Sequence, residues 1–124
     1  MKIIIGDDVK LDSPEEALFW SLCLWHGVPV IQNAALSVNG EKRYVPGFSV
    51  PEAGRQEPEL WIEVSSGQDE DVLRYCRKDW RDSTRKVLVV LYREELDFLR
   101  KLNRPAQFIG ALKALAARSA AVHR

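Results

Sequence analysis

The stretch from Glu59 to Tyr92 constrains the fold more than any other part of this chain. Glu59-Leu60-Trp61-Ile62-Glu63-Val64-Ser65 alternates, with Leu60, Ile62 and Val64 on one side and Trp61, Glu63 and Ser65 on the other, which is the period of a strand. Ser66-Gly67 interrupts it, and Asp69 opens a helix to about Asp82 with Val72, Leu73, Tyr75, Cys76 and Trp80 as apolar points. Lys86 to Tyr92 is then a continuous apolar run, the pattern of a strand buried on both faces. Strand, helix and strand in this order form a parallel crossover, which needs a sheet with helices packed on it.

The preceding residues add a helix and two strands. Ser13-Pro14-Glu15-Glu16 is a helix start, with Ser13 as cap, Pro14 at the first position and Glu16 completing a capping box. The helix should run to about His26 and stop at Gly27. Its body, Ala17 to Trp25, is apolar on nearly every side, so it is either packed on two faces or half of an association surface. Strands over Val28–Val38 and Lys42–Val50 flank Asn39-Gly40, a strong hairpin signal. Pro51 to Pro58 reads as an exposed loop, and Lys2–Ile5 as an edge strand or tether. After the crossover come helices over Glu94–Leu102 and from Pro105 to about Val122, the latter with Phe108, Ile109, Leu112 and Leu115 on one stripe.

The expectation is one α/β domain over residues 1–124 of order α-β-β-β-α-β, with 104–124 as a C-terminal helical extension. With 46% hydrophobic and 29% charged residues the composition is that of a globular chain. Cys23 and Cys76 fit neither a disulfide scaffold nor a metal motif, and the two histidines exclude a histidine-rich zinc site. No apolar run is long enough for a membrane span or a signal peptide, so a cytoplasmic location is expected.

Lys and Arg total 18, as do Asp and Glu, which argues against DNA binding by bulk charge. The spread is uneven. Glu52, Glu57, Glu59, Glu63, Asp69, Glu70 and Asp71 crowd the middle, opposed by Arg55 alone. Arg74, Arg77, Lys78, Arg81, Arg85 and Lys86 follow, tempered by Asp79 and Asp82, and no acid occurs after Asp97. Such segments read either as phosphate-contacting or as solvated helix faces.

The element order, Tyr44-Val45-Pro46-Gly47-Phe48, the apolar strand through Ile62-Glu63-Val64, and the helix carrying Lys78 and Trp80 resemble the PD-(D/E)XK nuclease superfamily. The likeness covers roughly Ser13 to Tyr92 and is nearest to its small very-short-patch-repair and transposon-end nuclease branch. It implies a restriction-endonuclease-like mixed sheet flanked by helices, with extra C-terminal helices. In that family an Asp after the Pro and the Glu of a Glu-x-Lys strand hold Mg²⁺, often joined by a glutamate of the first helix. The metal polarises the phosphate and activates water. By position Glu16 and Glu63 match the carboxylates, Gly47 stands where the Asp belongs and Ser65 where the Lys belongs. Lys78 is the candidate for a lysine relocated to the next helix, while Glu52 and Asp12 are the acids nearest the missing Asp.

Each residue also has a plain structural reading. Glu16 can be the capping partner of Ser13, Gly47 a bulge, Trp80 a core residue and Lys78 a solvated one. The resemblance leads to a nuclease-derived domain with an eroded metal site, a pseudoenzyme that binds nucleic acid or protein, with Arg77, Lys78 and Arg81 as nucleic-acid contacts. The alternatives are an active Mg²⁺-dependent DNA endonuclease using Glu16, Glu63 and Lys78, and a small inhibitor or assembly protein. The apolar first helix also suits a homodimer.

Overall fold

The computed structural model of the protein describes residues 3–5, 9–11, 13–33, 36–38, 41–43, 45–51, 58–65, 70–84 and 86–122. Its centre is a four-stranded mixed sheet of β3 (Ile31–Gln32), β6 (Phe48–Pro51), β7 (Pro58–Val64) and β8 (Leu88–Leu91), in that spatial order. The pairs β3–β6 and β6–β7 are antiparallel, and β7–β8 is parallel through the crossover helix α2 (Glu70–Thr84). Helix α1 (Pro14–Trp25) precedes the sheet, while α3 (Arg93–Arg100) and α4 (Pro105–Val122) follow it.

Two small ribbons lie outside this sheet. β1 (Ile3–Ile5) pairs with β2 (Val9–Leu11), so the expected N-terminal strand is one arm of a hairpin. β4 (Leu36–Val38) pairs with β5 (Glu41–Arg43), and Val38 opposite Glu41 leaves a two-residue loop for Asn39-Gly40, as the hairpin signal requires. Asn39 and Gly40 themselves lie outside the described residues. The two long strands expected here are each divided, because Pro46 has no N–H to donate and its stretch is held differently. The Asn33 side-chain amide donates to the Pro46 carbonyl (3.0 Å), and the Asn33 N–H donates to the Gly47 carbonyl (2.9 Å).

The large core fills one face of the sheet. Phe48, Val50, Leu60, Ile62, Val64, Val89 and Leu91 meet Phe19, Leu22 and Cys23 of α1, Leu96 and Leu99 of α3, and Phe108 and Leu112 of α4. Phe19 and Phe48 pack with ring centroids 5.3 Å apart. Truncating a buried phenylalanine of this kind costs about 3–5 kcal/mol. Phe108 and Leu112 of α4 belong to this core, so the C-terminal helix packs on the domain. The opposite face is covered by α2, whose Leu73 and Trp80 pack on Leu88, Val90, Trp61 and Tyr92. Leu60, Ile62 and Val64 thus face the large core and Trp61 faces α2, as the alternation of β7 dictates.

Helix α1 begins as its sequence demands. Ser13 Oγ accepts from the Glu16 N–H (3.2 Å), Pro14 holds the first position, and Gly27 takes φ +65° beyond the end, which favours glycine. Its packing is one-sided toward its C-terminus: Leu24 is 60% exposed and Trp25 80%. No helix among the described residues is long and apolar enough to cross a membrane.

Candidate functional site

The structure brings Glu16, Gly47 and Glu63 to one corner of the sheet, where β6 begins and β7 nears its end. Glu16 arrives from the first turn of α1. Gly47 stands just before Phe48, whose partner on β7 is Ile62, so the next step of the ladder puts Gly47 beside Glu63. The Gly47 N–H donates to Glu63 Oε2 at 2.8 Å. A Cβ placed on Gly47 would lie 3.5 Å from Glu63 Oε2 and 3.8 Å from Glu16 Oε2. Both carboxylates therefore converge on the point from which a side chain at position 47 would project.

Asn33 supports this corner. Its bonds to Pro46 and Gly47 fix the backbone before β6, and its Oδ1 accepts from the hydroxyl of the buried Ser49 (3.4 Å). Sequence reasoning passed over Asn33, and the usable signal was an amide residue at the end of an apolar run, opposite a Pro-Gly pair in the facing strand.

Ser65 follows β7, and its backbone N–H donates to the Leu91 carbonyl (2.8 Å), which fixes it at the sheet end two residues beyond Glu63. On α2, Cys76 senses Glu63. Burial first, then the negative charges of Glu63 and Asp79, push its thiol above the ordinary value. Lys78 is exposed on α2. Arg77 is half-buried and turned to Tyr92, donating to its hydroxyl (3.1 Å) and lying 5.9 Å from its ring centre. The same hydroxyl donates to Glu70 (2.9 Å). Arg81 pairs with Asp82 at 4.0 Å, and Arg74 with Asp71 at 3.5 Å. Arg77, Lys78 and Arg81 thus do not form a single exposed basic face. Asp12 and Glu52 lie outside the described residues.

The side-chain donors at this corner are two carboxylates, and Gly47 adds none. A hard dication takes six oxygens, with at least one or two carboxylates beside water and substrate phosphate. Here Glu63 Oε2 already accepts from the Gly47 N–H. Among the described residues no group of three or more His, Cys, Asp or Glu side chains is placed to hold a metal ion. Comparison with protein-family models, with curated proteins and with solved structures finds no match to this chain.

Proposed function

We propose that this chain is a nuclease-derived domain of the restriction-endonuclease-like class whose metal corner is eroded and which binds nucleic acid without efficient cleavage. One observation carries the reading: Glu16, Gly47 and Glu63, distant in sequence, converge at one end of the central strands of a sheet ordered β3-β6-β7-β8 with a parallel last pair. In the family that the sequence resembles, the third acid and the lysine complete such a corner, and Gly47 and Ser65 stand in their positions. A cytoplasmic location is part of the proposal, supported by two thiols, Cys23 and Cys76, that carry no disulfide.

The test is cleavage of supercoiled DNA with Mg²⁺ or Mn²⁺, alongside binding of a labelled duplex in the absence of metal. The expected result is binding with no nicking above the level of Glu63→Ala. Metal-dependent nicking lost in Glu63→Ala would overturn the eroded-site reading in favour of an active endonuclease using Glu16, Glu63 and Lys78, an alternative favoured by the convergence of the two carboxylates. A homodimer or protein partner on α1 is a separate use of the fold, favoured by the exposure of Leu24 and Trp25.

A further inference from the structure

We infer that the phosphate-contacting surface of this domain is the turn joining α3 to α4, formed by Arg100, Lys101 and Arg104, and not the basic segment of α2. The inference rests on the nucleic-acid-binding reading above and names the surface that serves it.

The two basic segments look alike in sequence and differ in structure. Helix α2 carries four cations, Arg74, Arg77, Lys78 and Arg81, against four anions, Glu70, Asp71, Asp79 and Asp82. Arg74 and Arg81 are in ion pairs with Asp71 and Asp82, and Arg77 is committed to Tyr92. A polyanion approaching α2 meets no net positive charge, and of its four cations Lys78 alone offers a contact that displaces no partner.

The α3–α4 turn has none of these drawbacks. Arg100 closes α3, Lys101 is its C-cap, and Arg104 immediately precedes Pro105 at the start of α4. All three are exposed, and among the described residues none of the three is in an ion pair. No acid follows Asp97 anywhere in the chain, and Asp97 is itself paired with Arg93 at 3.4 Å. Glu94 and Glu95 stand in the first turn of α3, about one helix length or roughly 10 Å from Lys101. That separation is on the order of a Debye length at physiological salt, so they do little to neutralise the turn. The packing also makes the turn firm. Leu99 and Phe108, one on each side of it, are fully buried in the large core, so the three cations project from an anchored loop. At this turn, in a chain with no net charge, a phosphate backbone gains three adjacent contacts without breaking an ion pair.

The experiment measures binding of a labelled short DNA duplex by fluorescence anisotropy across a salt series, using the full chain. A wild-type protein contacting three phosphates here has a log K against log salt slope that becomes shallower by about 2 to 3 when all three are replaced by Gln. Replacing Arg74 and Lys78 of α2 by Gln should leave the slope within about 0.5 of wild type. Arg104→Glu alone, outside both helices, should weaken binding more than Arg104→Gln, a graded effect that misfolding would not produce; circular dichroism melts check that each variant is folded. A turn variant that keeps the wild-type slope while the α2 variant loses it would overturn the inference and leave the nucleic-acid reading intact. Absence of wild-type binding at low salt would overturn both. Binding of polyglutamate in place of DNA would replace nucleic acid by an acidic protein partner and overturn the assignment to phosphate.

Discussion

Gly47→Asp is the substitution that most directly interrogates the corner. The new Cβ meets Glu63 Oε2 at 3.5 Å and Glu16 Oε2 at 3.8 Å, ordinary van der Waals contacts, so the Cβ itself is accommodated. Its carboxylate then stands among two others. A like-charge pair about 4 Å apart costs about 4 kcal/mol at an effective dielectric near 20, and solvent at this half-buried corner screens much of it. A net destabilisation of about 1–3 kcal/mol without metal follows, a fall in Tm of roughly 4 °C for each kcal/mol at this chain length. The two neighbouring carboxylates hold the new carboxyl above the usual carboxylate range. Its cost is therefore absent well below about pH 4, where the group is protonated in both folded and unfolded chains, builds up between the ordinary Asp value and the raised one, and is complete above it. A divalent cation reverses the sign. At a hundred times its Kd it restores about 2.7 kcal/mol, a rise of roughly 10 °C in thermal melts with Mg²⁺ or Mn²⁺. The wild-type protein, with two carboxylates and no side chain at position 47, should shift far less. A variant as stable as wild type without metal, or melts in which metal moves both proteins equally, would refute the claim that Glu16 and Glu63 converge on position 47. Adding Ser65→Lys to this variant should lessen the loss of stability in the absence of metal.

Three further outcomes follow from other parts of the structure. Asn33→Ala leaves the Pro46 carbonyl and the buried Ser49 hydroxyl without their partner, and should cost about 2 kcal/mol in urea denaturation with an unchanged m-value. Burial pushes the Cys23 thiol from 9.0 up to about 12. The folded chain therefore keeps a proton that the unfolded chain releases, and stability should fall by up to about 1.4 kcal/mol per pH unit between those values; Cys23→Ala should flatten that decline. If α1 is an association face, Leu24→Ser with Trp25→Ser abolishes concentration-dependent self-association in sedimentation while leaving the melt within about 2 °C, since both side chains are largely solvated.

What the sequence made legible was whatever depends on local patterning. The cap at Ser13, the stop at Gly27, the alternation of β7, the apolar β8 and the last helix lie within a few residues of their expected places, since each is dictated by contacts close in the chain. The first two strands were less legible, because their division depends on Asn33 reaching across to Pro46. The second arm of the N-terminal hairpin, Val9–Leu11, was missed because three residues carry too little periodicity. At the corner, the positions of Glu16, Gly47 and Glu63 came from the resemblance and their proximity from the fold. The roles of Arg77 and Cys76 were not legible at all. Which α2 side chain turns to Tyr92 and which senses Glu63 depends on the rotation of the helix about its axis, which the α2 apolar points leave loosely specified.

The two faces of the sheet are very unequally covered, and this has a dynamic consequence. Helix α2 is fastened by two buried side chains, Leu73 and Trp80, and by the Glu70–Tyr92–Arg77 bonds. Burial of those two side chains supplies about 3–6 kcal/mol, at the low end of what unfolds a whole domain. The three helices opposite share a far larger interior. Amide hydrogens of α2 should therefore exchange through a partial opening while those of β7 and β8 await global unfolding. The surface that such an opening uncovers is the one bearing Trp61 and Glu63, so the domain can expose its acidic corner from the α2 side and still remain folded.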